Sequence, residues 1–252
     1  MSAFQYTFVF LFVVHLLGDF YLQTKKMAEK KKNEIRWVLY HSIIYGVGCI
    51  IFIKPILPQI PNIYIMVLSV SHAVIDIIKF YIWRELEKRG RADLKGERNV
   101  FIIDKLVHVI VLLWVAYQLC SINLRNLYNR EWFVFFQNIE VPEVWLLSWI
   151  FRILMIHKPA NIMISKVIAL YRPETSQGEQ NQDKNAGRFI GTLERLIMTF
   201  FLVIRQYSAV GLVLTAKSIA RYEKISKEQD FAEYYLIGTL LSTMFAVLVS
   251  LI

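Results

Sequence analysis

The stretch FQYTFVFLFVVHLLGDFYLQ, residues 4–23, contains an apolar run that is interrupted by a histidine and an aspartate. The run is long enough to cross a lipid bilayer, which needs roughly 20 apolar residues in a helix. Ionisable side chains are costly inside a membrane, so they normally face the interior of a helix bundle and are paired or functional. His15 and Asp19 are therefore the first candidates for a functional site.

The composition of the whole chain favours a membrane protein. Hydrophobic residues make up 56% and aromatic residues 14% of the 252 residues, which is more apolar than an ordinary soluble domain of this length. The net charge of +9 comes from lysines and arginines in short segments between apolar runs, where they set membrane orientation and argue against nucleic-acid binding. Cys49 and Cys120 lack the spacing of a disulfide framework or a thiolate zinc site.

Six further apolar regions follow the first and predict an all-α fold, a polytopic bundle of transmembrane helices. The region 189–221 is predicted to form two spans, because Arg205 to Ser208 interrupt it and a basic segment follows it. This gives about eight spans, with seven as the alternative if that region is a single span. The other predicted spans are residues 4–22, 37–54, 63–83, 100–120, 143–170 and 231–252.

Lysine and arginine in the loops predict the orientation of the spans. Residues 24–36 and residues 84–98 each contain six basic residues. Both loops are therefore predicted to lie in the cytoplasm, with both termini outside.

The same features divide the chain into four predicted parts. Residues 1–120 form a four-span domain rich in His and Asp, and residues 121–171 contain a fifth span that is broken at Pro159, which lacks a backbone donor. Residues 172–188 are too polar to bury a core and form a cytoplasmic linker. Residues 189–252 form a C-terminal part with three spans.

Three of the first four spans each carry a His/Asp pair with i, i+4 spacing, in the segments HLLGD, HAVID and DKLVH. This spacing places both side chains of a pair on one helix face. The second span adds one more histidine in YHSIIYG. Counting from the predicted cytoplasmic ends places all of them in the cytoplasmic half of the bundle. The seven residues are His15, Asp19, His41, His72, Asp76, Asp104 and His108.

This set predicts a metal site. Three buried carboxylates repel one another unless cations lie among them. Part of the negative charge is offset by Lys79, Lys105 and Arg195. A divalent ion offsets it more fully, because imidazole and carboxylate are ligands of zinc, manganese and iron. We expect one or two divalent ions, zinc or manganese first, held by the seven residues. A proton or ion pathway and a structural hydrogen-bond network are the alternatives.

The segment GRFIGTLERLI, residues 187–197, adds two candidates in the sixth predicted span. Glu194 or Asp104 is predicted to be a general base, and Arg195 is predicted to bind an anionic group of the substrate. A buried Glu/Arg arrangement between helices is an equally supported interpretation of the segment.

The segments HLLGDFYLQ, HAVIDIIK, DKLVH, HKPANIMISK and GRFIGTLERL resemble a group of bacterial membrane proteins. That group is a domain of unknown function that opens with His-x3-Asp-Phe-x2-Gln, and the resemblance places it in the N-terminal 120 residues. The matched positions include Gln23 besides the cluster residues, with His41 as a further motif member. The group is distantly similar to predicted membrane-bound metal-dependent hydrolases, which implies a hydrolytic activity.

The site and its depth suggest a function. A metal ion with an open position lowers the pKa of a bound water, so we expect a metal-dependent hydrolase that acts on a phosphoester or lipid-like substrate near the cytoplasmic face. A divalent-cation or proton-coupled transporter and a non-enzymatic membrane effector are the alternatives. The expected partners are membrane lipids and a small-molecule or lipid substrate, and a homo-oligomer stays open.

Overall fold

The computed structural model describes residues 1–121, 129–172 and 184–252, so most of the predicted linker 172–188 lies outside the described residues. All regular elements in these ranges are helices, as predicted. The α-helices are α1 (Ala3–Leu16), α2 (Lys25–Lys30), α3 (Ile35–Ile53), α4 (Asn62–Lys88), α5 (Leu94–Ser121), α6 (Arg130–Asn138), α7 (Glu143–Ile168), α8 (Lys184–Val203), α9 (Tyr207–Ile219), α10 (Tyr222–Lys227) and α11 (Gln229–Ser250).

Six helices in the described part of the chain are long and apolar enough to cross a membrane. They are α1 with the turn that follows it, α3, α4, α5, α7 and α11, and they match the six spans predicted outside 189–221. The two spans predicted in that region correspond to α8 and α9. Arg205 separates these helices with a φ of +61°, but α8 is less apolar and α9 has only 13 residues.

The first span changes its helical geometry before it ends. Ser2 begins α1 with a capping box, in which its hydroxyl accepts from the Gln5 amide and the Gln5 side chain accepts from the Ser2 amide. The helix then continues as a π-helical turn, Leu17–Tyr21, which contains Asp19. Single π-helical turns inside α-helices occur frequently at functional sites.

The chain forms two compact units, unit 1 (Met1–Phe151) and unit 2 (Arg152–Ile252). In unit 1, α3 packs against α4, α4 against α5, and α1 against both α3 and α5. Leu11, Ile53 and Leu119 are almost fully buried between these helices. The four-part division predicted from the sequence stays a prediction.

In unit 2, α8 packs against α9 and α11, and α10 packs against α11. At Pro159, where the sequence predicts a break in the fifth span, α7 is assigned as one helix, Glu143–Ile168. A proline removes a single backbone donor, and side chains can bond the carbonyls of a membrane helix near it. Here the Arg195 guanidinium donates to the Ile156 carbonyl at 3.3 Å, and the Asn161 amide donates to the His157 carbonyl at 2.7 Å.

Candidate metal centre

Seven ionisable side chains from the four spans of unit 1 form one buried cluster. The first span contributes two of them, α3 contributes one, and α4 and α5 contribute two each. Each residue is at most 5% exposed. The structure therefore brings together all the ligands predicted from the sequence, which are His15, Asp19, His41, His72, Asp76, Asp104 and His108.

Two histidine nitrogens at the centre of this cluster lie close to each other and to two carboxylate oxygens. Nε2 of His41 is 3.2 Å from Nε2 of His72 and 3.4 Å from Oδ1 of Asp19. Oδ2 of Asp76 is 3.7 Å from Nε2 of His41 and 3.6 Å from Nε2 of His72. We call these four atoms the central donor set.

Four of the distances within the central donor set are close to those between neighbouring ligands of one small metal ion. Zinc binds imidazole nitrogen and carboxylate oxygen at roughly 2.0–2.2 Å, so neighbouring ligand atoms of a tetrahedral zinc ion lie about 3.3–3.6 Å apart. The four measured distances run from 3.2 to 3.7 Å. Asp19, His41 and His72 form one group whose potential ligand atoms all lie within 4.8 Å of one another, and Asp76 joins it through its contacts with the two imidazoles.

The second ring nitrogen of each central imidazole has no hydrogen bond within the described residues. Nδ1 of His41 and Nδ1 of His72 are buried and have no hydrogen-bond partner in the described part of the chain. If both Nε2 atoms are unprotonated, their lone pairs face each other across 3.2 Å. A proton shared by the two nitrogens, or a metal cation bound between them, removes this repulsion. The shared proton fits the predicted proton pathway, and the cation fits the predicted metal site.

The two histidines outside the central donor set, His15 and His108, are each oriented by a hydrogen bond at Nδ1. His108 donates from Nδ1 to the carbonyl oxygen of Asp104 at 2.7 Å, which leaves Nε2 as the free ring nitrogen. Nδ1 of His15 is 3.1 Å from the Tyr45 hydroxyl, while Nε2 of His15 is 3.8 Å from Oδ2 of Asp19. Such bonds fix the tautomer and orientation of histidines that bind metals. His72, Asp76 and His108 form a second group whose potential ligand atoms lie within 4.8 Å of one another.

Tyr45 and Gly18 position the cluster by close packing. The Tyr45 ring stacks on the His72 ring with a centroid distance of 3.7 Å and an interplanar angle of 5°. A Cβ atom at Gly18 would lie 2.6 Å from Cδ2 of Tyr45, so only glycine leaves room for the ring. The π-helical turn thus supports both Asp19 and the orientation of His72.

Three lysines pair with the three carboxylates of the cluster. Nζ of Lys31 is 2.6 Å from Oδ2 of Asp76, and Nζ of Lys79 is 2.8 Å from Oδ2 of Asp104. Lys105 contacts Oδ2 of Asp19 and lies 2.9 Å from Oδ2 of Asp104. The lysine side chains are 13–32% exposed, whereas the carboxylates are at most 5% exposed, so the lysines form the more exposed edge of the cluster.

Lys31 was not predicted to belong to the site, because it lies in a loop whose basic residues predict the orientation of the spans. Thr24 caps α2 within that loop by accepting from the Met27 amide, and Lys31 directly follows the helix. Its ammonium group also donates to Oε1 of Gln23 at 3.1 Å. Burial lowers the pKa of Lys31 below its usual value. Gln23 is one of the positions matched to the family motif, so it was the feature of the sequence that could have pointed to this part of the site.

Glu194 and Arg195, the other predicted catalytic residues, lie on α8 in unit 2. Oε2 of Glu194 is 2.6 Å from Nζ of Lys217, and Arg195 donates to Oδ1 of Asn161 at 2.7 Å. Both side chains are thus bonded to residues of their own unit. Their catalytic roles stay predictions.

These features define a polytopic helical membrane protein with a buried cluster of His, Asp and Lys side chains in its N-terminal unit. The chain belongs to the family described as Protein of unknown function (DUF3307), whose model matches residues 7–135 and so includes the whole cluster. No curated protein and no solved structure matches the chain.

Proposed function

We propose that this protein is a metal-dependent hydrolase of a bacterial inner membrane, with its site toward the cytoplasm. The observation that carries the proposal is the central donor set, in which Nε2 of His41 lies 3.2–3.7 Å from Nε2 of His72, Oδ1 of Asp19 and Oδ2 of Asp76. A divalent ion bound there supplies a Lewis acid and activates a water at neutral pH. Zinc and manganese are the preferred ions.

Asp76 is the ligand that exchanges most readily in this proposal. Lys31 donates to Oδ2 of Asp76, the same oxygen that faces both central imidazoles. Oδ2 can therefore turn toward the metal or toward the ammonium group. Asp19, His41 and His72 would hold the ion whichever way Oδ2 turns, and this exchange would leave the open position that a catalytic metal site needs.

The lysines favour an anionic substrate. The three lysines of the cluster are more exposed than the carboxylates that they contact. A ligand that enters past Lys31, Lys79 and Lys105 therefore meets positive charge first. Positive charge at an entrance attracts phosphate and repels metal cations. This argument favours hydrolysis of a phosphoester, soluble or lipid-linked, over transport of a divalent cation.

Asp104 is the proposed proton acceptor. Its Oδ2 binds Lys79 and Lys105, while its buried Oδ1 has no hydrogen-bond partner in the described part of the chain. In the proposed reaction the water oxygen attacks phosphorus and gives a proton to Oδ1. The bond between phosphorus and the ester oxygen then breaks, and the leaving oxygen takes the proton from Oδ1 of Asp104, so that an alcohol and a phosphate are released while the lysines stabilise the added negative charge.

Hydrolysis by the purified full-length chain tests the proposal. After loading with zinc or manganese, we expect release of product from at least one member of a panel of phosphomonoesters, phosphodiesters and pyrophosphates. Asp104→Asn should lower kcat by about 10²–10⁴ while the metal content stays unchanged. Glu85→Gln is the control, because Glu85 is exposed on α4 and its ion pair is with the exposed Arg89. A metal-loaded protein that cleaves no member of the panel would contradict the proposal.

One observation favours a second candidate, a proton-coupled transporter. Each of the three carboxylates already contacts a lysine, so the cluster is balanced in charge without a metal ion. Chains of Asp, Lys and His side chains carry protons in membrane proteins. Proton flux into liposomes that contain the protein, measured with a pH-sensitive dye, would favour this candidate if it persists after complete removal of metal.

A further inference from the structure

Unit 2 contains a cavity of about 960 Å³ that is separate from the cluster in unit 1. The cavity lies among α8, α9, α10, α11 and the last turns of α7. Six basic and three acidic residues line it, so its wall carries a net charge of +3. Two of the acidic residues are paired, Glu194 with Lys217 and Glu223 with Lys227, both at 2.6 Å.

Arg195 forms a buried positive charge in the wall of this cavity. The residue is 3% exposed, and its guanidinium donates four hydrogen bonds. All four acceptors are uncharged: the Ile156 carbonyl, Oγ of Ser242, Oδ1 of Asn161 and Oγ1 of Thr192. In the described part of the chain it forms no ion pair with a carboxylate. A buried cation held only by neutral groups is costly unless an anion joins it.

Two hydroxyl groups in the same wall also lack partners. The Tyr235 hydroxyl and Oγ1 of Thr239 are buried, and neither has a hydrogen-bond partner in the residues that the structure describes. Both are on α11, where Gly238 also lines the cavity. A Cβ atom at Gly238 would meet nothing within 4 Å, so the helix leaves open space at this point.

We propose that the cavity of unit 2 binds a phosphate group, with Arg195 as its main partner and Tyr235 and Thr239 as further donors. A phosphate offers three strong acceptor oxygens and a charge of about −1.5 to −2 at neutral pH. This matches a guanidinium, two free hydroxyls and a wall of net charge +3. A guanidinium has five N–H donors, so the four hydrogen bonds of Arg195 leave one N–H on Nη1, together with the positive charge, for a phosphate oxygen. The group belongs either to a lipid headgroup or to a soluble phosphate, and the site does not depend on the metal centre.

Binding by the full-length chain in detergent tests this site with two probes. The first is inorganic phosphate, measured by equilibrium dialysis with a radioactive label. The second is phosphatidic acid, measured by native mass spectrometry against phosphatidylcholine, which lacks a phosphomonoester. Retention of inorganic phosphate identifies a soluble ligand, and selective retention of phosphatidic acid alone identifies a lipid headgroup. Retention of neither probe would overturn the proposal.

Two variants separate the site from general charge effects. Arg195→Gln should weaken binding of the retained probe about tenfold or more, because it removes the charged donor. Gly238→Leu should weaken it similarly by filling the open space, without removing charge or meeting a neighbouring atom at Cβ. The exposed Arg172 lies outside the cavity, so Arg172→Gln should bind like the wild type.

The outcomes for these variants are decisive. If Gly238→Leu and Arg195→Gln both bind the probe like the wild type, the proposed site is wrong. Metal content, measured on the same preparations, should equal that of the wild type in both variants. Failure of the phosphate site can therefore be distinguished from failure of the metal centre.

Discussion

In unit 1 every buried carboxylate of the cluster contacts an ammonium group, whereas in unit 2 the hydrogen bonds of the buried Arg195 guanidinium within the described residues go to uncharged oxygens. The carboxylates of unit 1 converge with imidazole nitrogens at distances that suit a small cation. The guanidinium of unit 2 lies beside open space and free hydroxyls, which suits an anion. Buried charge in the same chain thus points to two kinds of ligand, and the arrangement of partners distinguishes them.

The largest expected effect is the loss of metal in His72→Ala. His72 supplies an atom of the central donor set and also belongs to the second group of potential ligands. We expect metal affinity to fall by about a hundredfold or more, since even residues that only support a ligand contribute 10–100-fold. Competition with a chromogenic chelator measures the affinity.

His157→Ala is the matched control for that variant. His157 lies in unit 2 and is exposed, so its replacement should leave metal affinity unchanged. If both variants lose metal equally, or neither loses any, the metal does not bind at the central donor set.

The next effect concerns the lysine pairs, which decide whether the cluster depends on a cation. Lys31→Met leaves the Asp76 carboxylate without its partner at 2.6 Å. Removing one partner of a buried ion pair costs about 3–5 kcal/mol, so the metal-free protein should unfold at a lower temperature. A saturating metal ion should restore most of this stability, because it replaces the missing positive charge at Asp76.

Lys32→Met provides the comparison for the lysine pair. Lys32 pairs with Glu97, but the two side chains are 52% and 29% exposed. Exposed pairs contribute about 0–1 kcal/mol, so the thermal midpoint should barely change. If metal fails to raise the midpoint of Lys31→Met above its effect on the wild type, the cluster is a network of ion pairs and not a metal site.

A smaller effect is expected from Gly18→Ala. The added Cβ would lie 2.6 Å from the Tyr45 ring, which stacks on His72 and is almost fully buried. Overpacking of this kind typically costs 1–3 kcal/mol, so we expect a lower free energy of unfolding by about that amount, together with weaker metal binding. Both quantities can be followed in detergent by chemical denaturation and chelator competition.

Gly211→Ala controls for the loss of a helical glycine. A Cβ atom at Gly211 meets nothing within 4 Å, and the residue lies inside α9. Alanine is favoured over glycine in a helix interior by about 0.5–1 kcal/mol, so this variant should be slightly more stable than the wild type. Equal behaviour of the two glycine variants would show that the Tyr45 contact is unimportant.

The smallest effect belongs to unit 2. Thr239→Val removes a buried hydroxyl that has no partner in the described residues. Because an unsatisfied buried polar group costs about 1–3 kcal/mol, the phosphate-free variant should be as stable as the wild type or slightly more stable. Phosphate should stabilise it less than it stabilises the wild type. A large loss of stability without phosphate would mean that the hydroxyl has a structural role.

The sequence was sufficient to predict the helical spans and the convergence of the His/Asp pairs. Hydropathy located the first span and the interruption at Arg205, because both depend on local composition. The i, i+4 spacing of pairs such as His72 and Asp76 identified a shared helix face without knowledge of the neighbouring helices. These features are local in sequence, so they can be recognised before the fold is known.

The partners of the cluster could not be predicted in the same way. Lys31 and Asp76 are 45 residues apart, and the position of Lys31 depends on a short helix inside a loop whose charge was explained by topology. The contact between Tyr45 and His72 depends on the space left by Gly18 in a π-helical turn. Hydropathy and residue spacing do not encode such packing between helices.

The most direct test of the central claim is the metal content of the purified protein, together with the X-ray absorption spectrum of the bound ion. We predict at least one zinc or manganese ion per chain, with zinc surrounded by nitrogen and oxygen ligands at about 2.0–2.1 Å, and no bound ion in a His41→Ala, His72→Ala double variant. A wild-type protein that contains no metal, and binds none after incubation with either ion, would contradict the account.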